Sequence, residues 1–139
     1  MFRYFRTAIF GLGLLLSVIG QNVGQAYAGE VSADQFKTAV MGNTLDRKFF
    51  SNRSGRDVEY MFHFIDEKEL LFSSAQSAPT QKQDWSFTSD GKFCYEHTYR
   101  SHRRLCYEIL RIDESSLVWK NGAGKEEKIL LLKGKHTAK

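Results

Sequence analysis

Proline is all but missing from this chain of 139 residues, which holds one, Pro79, and two cysteines. Together with 14% aromatic residues, that scarcity rules out collagen-like and disordered classes and leaves a globular one. Long apolar runs are lacking too. The stretch at residues 8–19 would extend about 18 Å as a helix, short of a hydrocarbon core of about 30 Å, so a stable membrane anchor is not expected. The serine-elbow, zinc-peptidase, phosphate-loop and dinucleotide fingerprints are all absent, and no catalytic residue, cofactor or metal is assigned. Charge of one sign is in short supply as well. The formal net charge of +4 falls to +2 once the first 28 residues are set aside, which argues against a dedicated nucleic-acid binder.

Those 28 residues have the order of an export signal. Arg3 and Arg6 precede the apolar stretch, and the small-x-small triplet Ala26-Tyr27-Ala28 follows it. No cysteine stands there to carry a lipid. Cleavage after Ala28 leaves 111 residues, enough for one domain of roughly 100–150 residues. The expected organisation is a signal at 1–28, a single β domain at 29–133 and a flexible tail at 134–139.

One helix is expected at the start of the domain. Ser32 and Gln35 form a capping box, Val31 can staple onto Phe36, and Gly42 is placed to stop the turns. Beyond Gly42 the period becomes two. Val58, Tyr60, Phe62 and Phe64 alternate with Glu59, Met61, His63 and Ile65, the pattern of a half-buried strand. Further strands are expected around 70–72, 85–87, 93–98, 105–112, 117–119 and 129–132. Residues 73–83, with Pro79 among Ser, Ala, Thr and Gln, read as the longest loop. About seven or eight short strands make an antiparallel meander, closed or half-closed as a small barrel.

Cys94 and Cys106 fix a register. A hairpin centred on Arg100 sets them opposite one another, with Glu96 facing Arg104 and Lys92 facing Glu108 on the same side. Phe93–Tyr107 and Tyr95–Leu105 fall on the other side, so opposite charges and apolar groups segregate as cross-strand pairing favours. A turn at Ser89-Asp90-Gly91 extends this to Phe87–Phe93 and Trp85–Tyr95. A disulfide is expected, worth about 3 kcal/mol by loop entropy. The competing zinc pattern Cys94, His97, His102, Cys106 requires residues three apart on a strand to converge, which the pleat opposes.

The remaining candidates are weaker. His63 reads as a surface or loop-covered histidine, and Glu126-Glu127 as solvated charge beside lysines. Phe62, Phe64, Trp85, Phe87, Tyr95 and Trp119 suit a packed core better than a ligand cup, with Trp85 the more buried tryptophan. The densest charge is at the hairpin tip, where Tyr99, Arg100, His102, Arg103 and Arg104 form a candidate contact surface for an acidic partner.

The sequence also resembles a known group. The helix, Gly42-Asn43-Thr44-Leu45, the aromatic strands, Trp85-Ser86-Phe87, Asp90-Gly91-Lys92-Phe93-Cys94-Tyr95 and Cys106 look like a family of small exported proteobacterial proteins of unknown function. That resemblance implies a periplasmic, lipocalin-like β domain and supplies no catalytic residue.

The expected function is a non-enzymatic periplasmic or secreted interaction module whose partner is an envelope or secreted protein or an anionic surface polymer. The alternatives are a carrier of a small apolar ligand in the barrel and an inhibitor of an exported protease. N-terminal sequencing of exported protein should begin at Gly29, and an intact Met1 would contradict the signal.

Overall fold

A computed structural model describes residues 31–97 and 103–139, with residues 77–79 described by backbone alone. One helix, α1 (Ala33–Val40), precedes eight strands: β1 (Thr44–Ser51), β2 (Arg56–Phe64), β3 (Glu69–Ser74), β4 (Ser77–Phe87), β5 (Lys92–His97), β6 (Arg103–Ile112), β7 (Ser116–Lys120) and β8 (Glu126–Leu132). Every strand runs antiparallel to the next, and β8 returns to β1, so the sheet closes into a barrel. The fold class read from the sequence is the one found.

The helix begins as its residues dictate. Gln35 N–H donates to Ser32 Oγ at 3.1 Å, and Ser32 N–H donates to Gln35 Oε1 at 2.9 Å, satisfying two donors reciprocally. Gly42, at φ +72°, turns the chain out of the helix in a conformation that favours glycine. Eight residues are too few to hold a helix in water alone, so tertiary packing must stabilise it. Phe36 provides that packing. Its ring lies 4.9 Å from Phe87, 5.5 Å from Phe93, 5.8 Å from Phe64 and 5.9 Å from Trp85. The helix therefore plugs one end of the barrel.

The hairpin registers follow the sequence arithmetic. Cys94 pairs with Cys106, Glu96 with Arg104, Lys92 with Glu108, Phe93 with Tyr107 and Tyr95 with Leu105. Trp85 pairs with Tyr95 and Phe87 with Phe93, and Gly91 takes the left-handed conformation at φ +82°. The aromatic candidates form the core rather than a cup. Phe62, Phe93, Tyr95 and Trp119 meet at the barrel centre, with Phe93 stacked on Tyr95 at 5.8 Å and on Trp119 at 6.2 Å.

Three expectations are corrected. Residues 73–83 are not a loop. β4 starts at Ser77 after a short turn, with Gln83 opposite Leu70 and Gln81 opposite Phe72. Ser74 pairs with Ser77 although Phe72 pairs with Gln81, so β4 bulges there and Pro79 lies in the bulge, where the ladder does not require its missing N–H. The strand β1 replaces a region in which no strand was anticipated. Trp119 is the more buried tryptophan, at 0% exposure against 5% for Trp85, because its phase on β7 points inward despite the nearby turn.

The segment after β8 is tied down along its backbone. Gly134 N–H donates to Asn43 Oδ1 at 3.0 Å, and Thr44 Oγ1 donates to Gly134 O at 2.8 Å. His136 N–H donates to Thr44 Oγ1 at 3.0 Å, and Ala138 N–H to Ser73 Oγ at 2.9 Å. It thus runs from β1 to β3 over the outer surface of the barrel. His63 sits close to this segment, its Nδ1 3.2 Å from Asn43 O and 3.3 Å from Thr44 Oγ1. Since the Thr44 hydroxyl hydrogen goes to Gly134 O, Nδ1 must be the protonated nitrogen. Burial, followed by the nearby Lys135 and His136, lowers the affinity of His63 for a second proton.

Replacing Phe36 with alanine should cost about 3–5 kcal/mol in urea unfolding, as expected for a large ring deleted from a packed site. A cost below about 1 kcal/mol would mean that the helix is not the plug described here.

Candidate functional site

Antiparallel alternation sends the β1–β2, β3–β4 and β5–β6 connections to the end of the barrel away from α1. There the interior is not filled. A cavity of about 330 Å³ opens between β1, β2, β3 and β5, with Tyr60, Phe72 and His97 on its walls and Arg53 and Arg56 among its lining residues. Arg56 is in phase with Val58, Tyr60 and Phe62, so the same period that fills the core places it on the interior side. The ring of Tyr60 lies 5.0 Å from Phe72, and that of His97 lies 5.6 Å from Phe72. Burial depresses the proton affinity of His97, so at neutral pH it contributes a flat neutral ring. None of the described residues lining the cavity is acidic.

Deeper in the barrel stands a charged network. Arg47 donates from Nε to Glu127 Oε2 and from Nη2 to Glu127 Oε1, both at 2.9 Å. Its Nη1 donates to Tyr107 Oη at 3.3 Å. The guanidinium lies 4.2 Å from the Phe49 ring and 5.7 Å from that of Trp119, a cation–π arrangement. Glu127 accepts further bonds from Trp119 Nε1 at 2.7 Å and Asn121 Nδ2 at 3.3 Å. Burial by itself would raise the Glu127 carboxyl, but the bonds from Arg47 and Trp119 outweigh it and hold the group below its usual range. Burial likewise opposes the charge on Arg47, and the bond to Glu127 together with the nearby Tyr107, Glu127 and Tyr95 more than restores it. The expectation of solvated charge at Glu126-Glu127 is therefore corrected for Glu127, which is the anchor of a network, while Glu126 is exposed.

The basic residues singled out at the hairpin are only partly within view. Tyr99, Arg100 and His102 lie outside the described residues. Arg103 and Arg104 are exposed, and they do not share a face. Arg103 pairs with His97 and is on the cavity side of β6 by alternation. Arg104 is on the opposite side, where its Nη2 donates to Ser86 Oγ at 3.1 Å on β4. Below them the Cys94–Cys106 disulfide joins directly opposed residues with Cα atoms 4.1 Å apart. The zinc pattern does not assemble, since both thiols are in this bond and His97 faces the interior beside Phe72 and Tyr95.

Sequence reasoning missed Arg47, Glu127 and the cavity lining. Part of the signal was present. Extending the alternation of β2 back by one step from Val58 brings Arg56 to the interior, and extending Phe93 and Tyr95 forward brings His97 there. The pairing of Arg47 with Glu127 had no local signal, because the two are 80 positions apart.

No protein-family model, no curated protein and no solved structure matches the chain.

With side chains only 10% and 15% exposed, the Arg47–Glu127 pair should be costly to break from one side. Arg47→Met or Glu127→Leu alone should each lose about 3–5 kcal/mol in urea unfolding, because either leaves a partly buried charge without its partner. The double variant should lose less than the two single losses added together. Additive losses would show that the two charges act independently.

Proposed function

We propose that this chain is a non-enzymatic interaction module that works outside the cytoplasm, in the periplasm or after secretion, and that it meets an acidic partner through the β5–β6 hairpin. The observation that carries this reading is the disulfide directly beneath the basic residues, with Arg103 on one side of the hairpin and Arg104 on the other. A braced hairpin loses little conformational freedom on binding, so charged contacts made there are not offset by ordering it. Arginine suits the task because its planar fork takes a carboxylate or phosphate through two bonds at once. An acidic envelope or secreted protein, or an anionic surface polymer, offers such groups.

Export is supported by the Arg3–Arg6 cluster, the apolar stretch and the Ala26-Tyr27-Ala28 triplet, and a disulfide is compatible with it. The resemblance to small exported proteins of unknown function belongs to the same reading. What favours a module over a carrier of an apolar ligand is the barrel centre, which the chain fills with its own rings at Phe62, Phe93, Tyr95 and Trp119.

Capture from an envelope fraction tests the proposal. Changing Arg100 and Arg103 to alanine should abolish recovery of the partner while the melting temperature moves by no more than a few degrees. Undiminished capture by the double variant would remove the hairpin from the interface.

A further inference from the structure

We propose that the open end of the barrel is a binding site for a small ligand that combines a planar apolar body with one anionic group, such as an aromatic carboxylate, sulfonate or phosphate. This goes beyond the hairpin reading and rests on different residues.

The space is the first argument. About 330 Å³ is at the lower end of small-molecule sites, and it is placed where such sites occur in small barrels, at the mouth. Its walls are the second. Tyr60, Phe72 and His97 present three flat rings from three different strands, β2, β3 and β5. All three are held by the interior phase of their strands, so the surface is built by the fold. A planar body can lie against it, as aromatic rings favour offset or edge contact.

Charge is the third. Arg53 and Arg56 both line the cavity and none of its described lining residues is acidic. Among the described residues neither arginine forms an ion pair, whereas Arg47 below is held by both oxygens of Glu127. The positive charge of the described lining thus lies at Arg53 and Arg56. A ligand with its anion at Arg53 and Arg56 and its apolar body against Tyr60, Phe72 and His97 matches both parts of the lining. A cationic ligand meets like charge on entry, and a wholly apolar one leaves the arginines without a partner.

Fluorescence titration of the full chain with 1-anilinonaphthalene-8-sulfonate tests this, because N-phenyl-1-naphthylamine supplies the same body without the anion. The sulfonate should bind saturably at one site, at least about tenfold more tightly than its neutral counterpart. Changing Arg53 and Arg56 together to alanine should remove that tenfold preference, and Tyr60→Leu should weaken both probes. The two arginines are exposed, so an unchanged melting temperature for that variant should accompany the loss. Nuclear magnetic resonance gives a second readout, in which the sulfonate should shift the His97 ring signals in the unaltered chain. Absence of saturable binding, an equal affinity for the two probes, or a preference that survives the arginine change would each overturn the proposal.

Discussion

The barrel depends on a seam that its backbone closes only in part. Between β1 and β8 the ladder holds three pairs, Thr44–Leu132, Leu45–Leu131 and Asp46–Leu130. Arg47 is the next residue of β1, and from there the two strands are joined through side chains, by its twofold bond to Glu127. A buried ion pair is an expensive way to join strands, because both charges leave water. Here the cost is offset by the remaining bonds. Trp119 and Asn121 satisfy the carboxylate, Tyr107 takes a third guanidinium nitrogen, and Phe49 covers the cation. Closure matters beyond the seam itself, since an open sheet of eight strands would leave two unpaired edges.

The two ends of the barrel follow from what each strand carries. Toward α1 the interior residues are apolar, and Phe36 completes a cluster with Phe64, Trp85, Phe87 and Phe93. Toward the other end they become Arg47, Tyr60, Ser74 and His97, groups that cannot be packed dry without partners. The filled end stabilises the fold and the polar end stays open to water. The disulfide lies on the outward face of the hairpin, leaving Phe93 and Tyr95 free to fill the interior.

Local rules made some elements legible and hid others. The β5–β6 register was readable because one pairing satisfied three independent demands at once, the cysteines, the charges and the rings. The capping box at Ser32 was readable because its residues lie three apart. β1 was obscured by the run Asp46-Arg47-Lys48, which breaks apolar alternation, yet Asp46 and Arg47 are buried. Arg47 is tolerated inside only because of Glu127, and no window around residue 47 contains that information. β4 was obscured by its polar composition and Pro79. Its neighbours supply the pairing that its own residues do not advertise, and the bulge removes the demand on the proline. Trp119 lies close to a turn, yet its phase on the strand decides its burial. At the candidate site the hairpin arginines stood out as a cluster, whereas the cavity is assembled from residues scattered between positions 51 and 97.

The bonds between Thr44 and the segment at Gly134 and His136 span 90 and 92 positions, and they set an order of events. A chain synthesised from its N-terminus cannot complete the pairing of β1 until residues 130–136 have emerged. The hairpin of β5 and β6 needs no such wait, and its two cysteines can meet while the seam is still apart. The helix α1 and the local hairpins can therefore form before the seam closes. Long-range closure of this kind slows folding and leaves strand edges exposed meanwhile. The vulnerable period of this molecule thus lasts until β8 and the segment at residues 134–138 have joined β1 and β3.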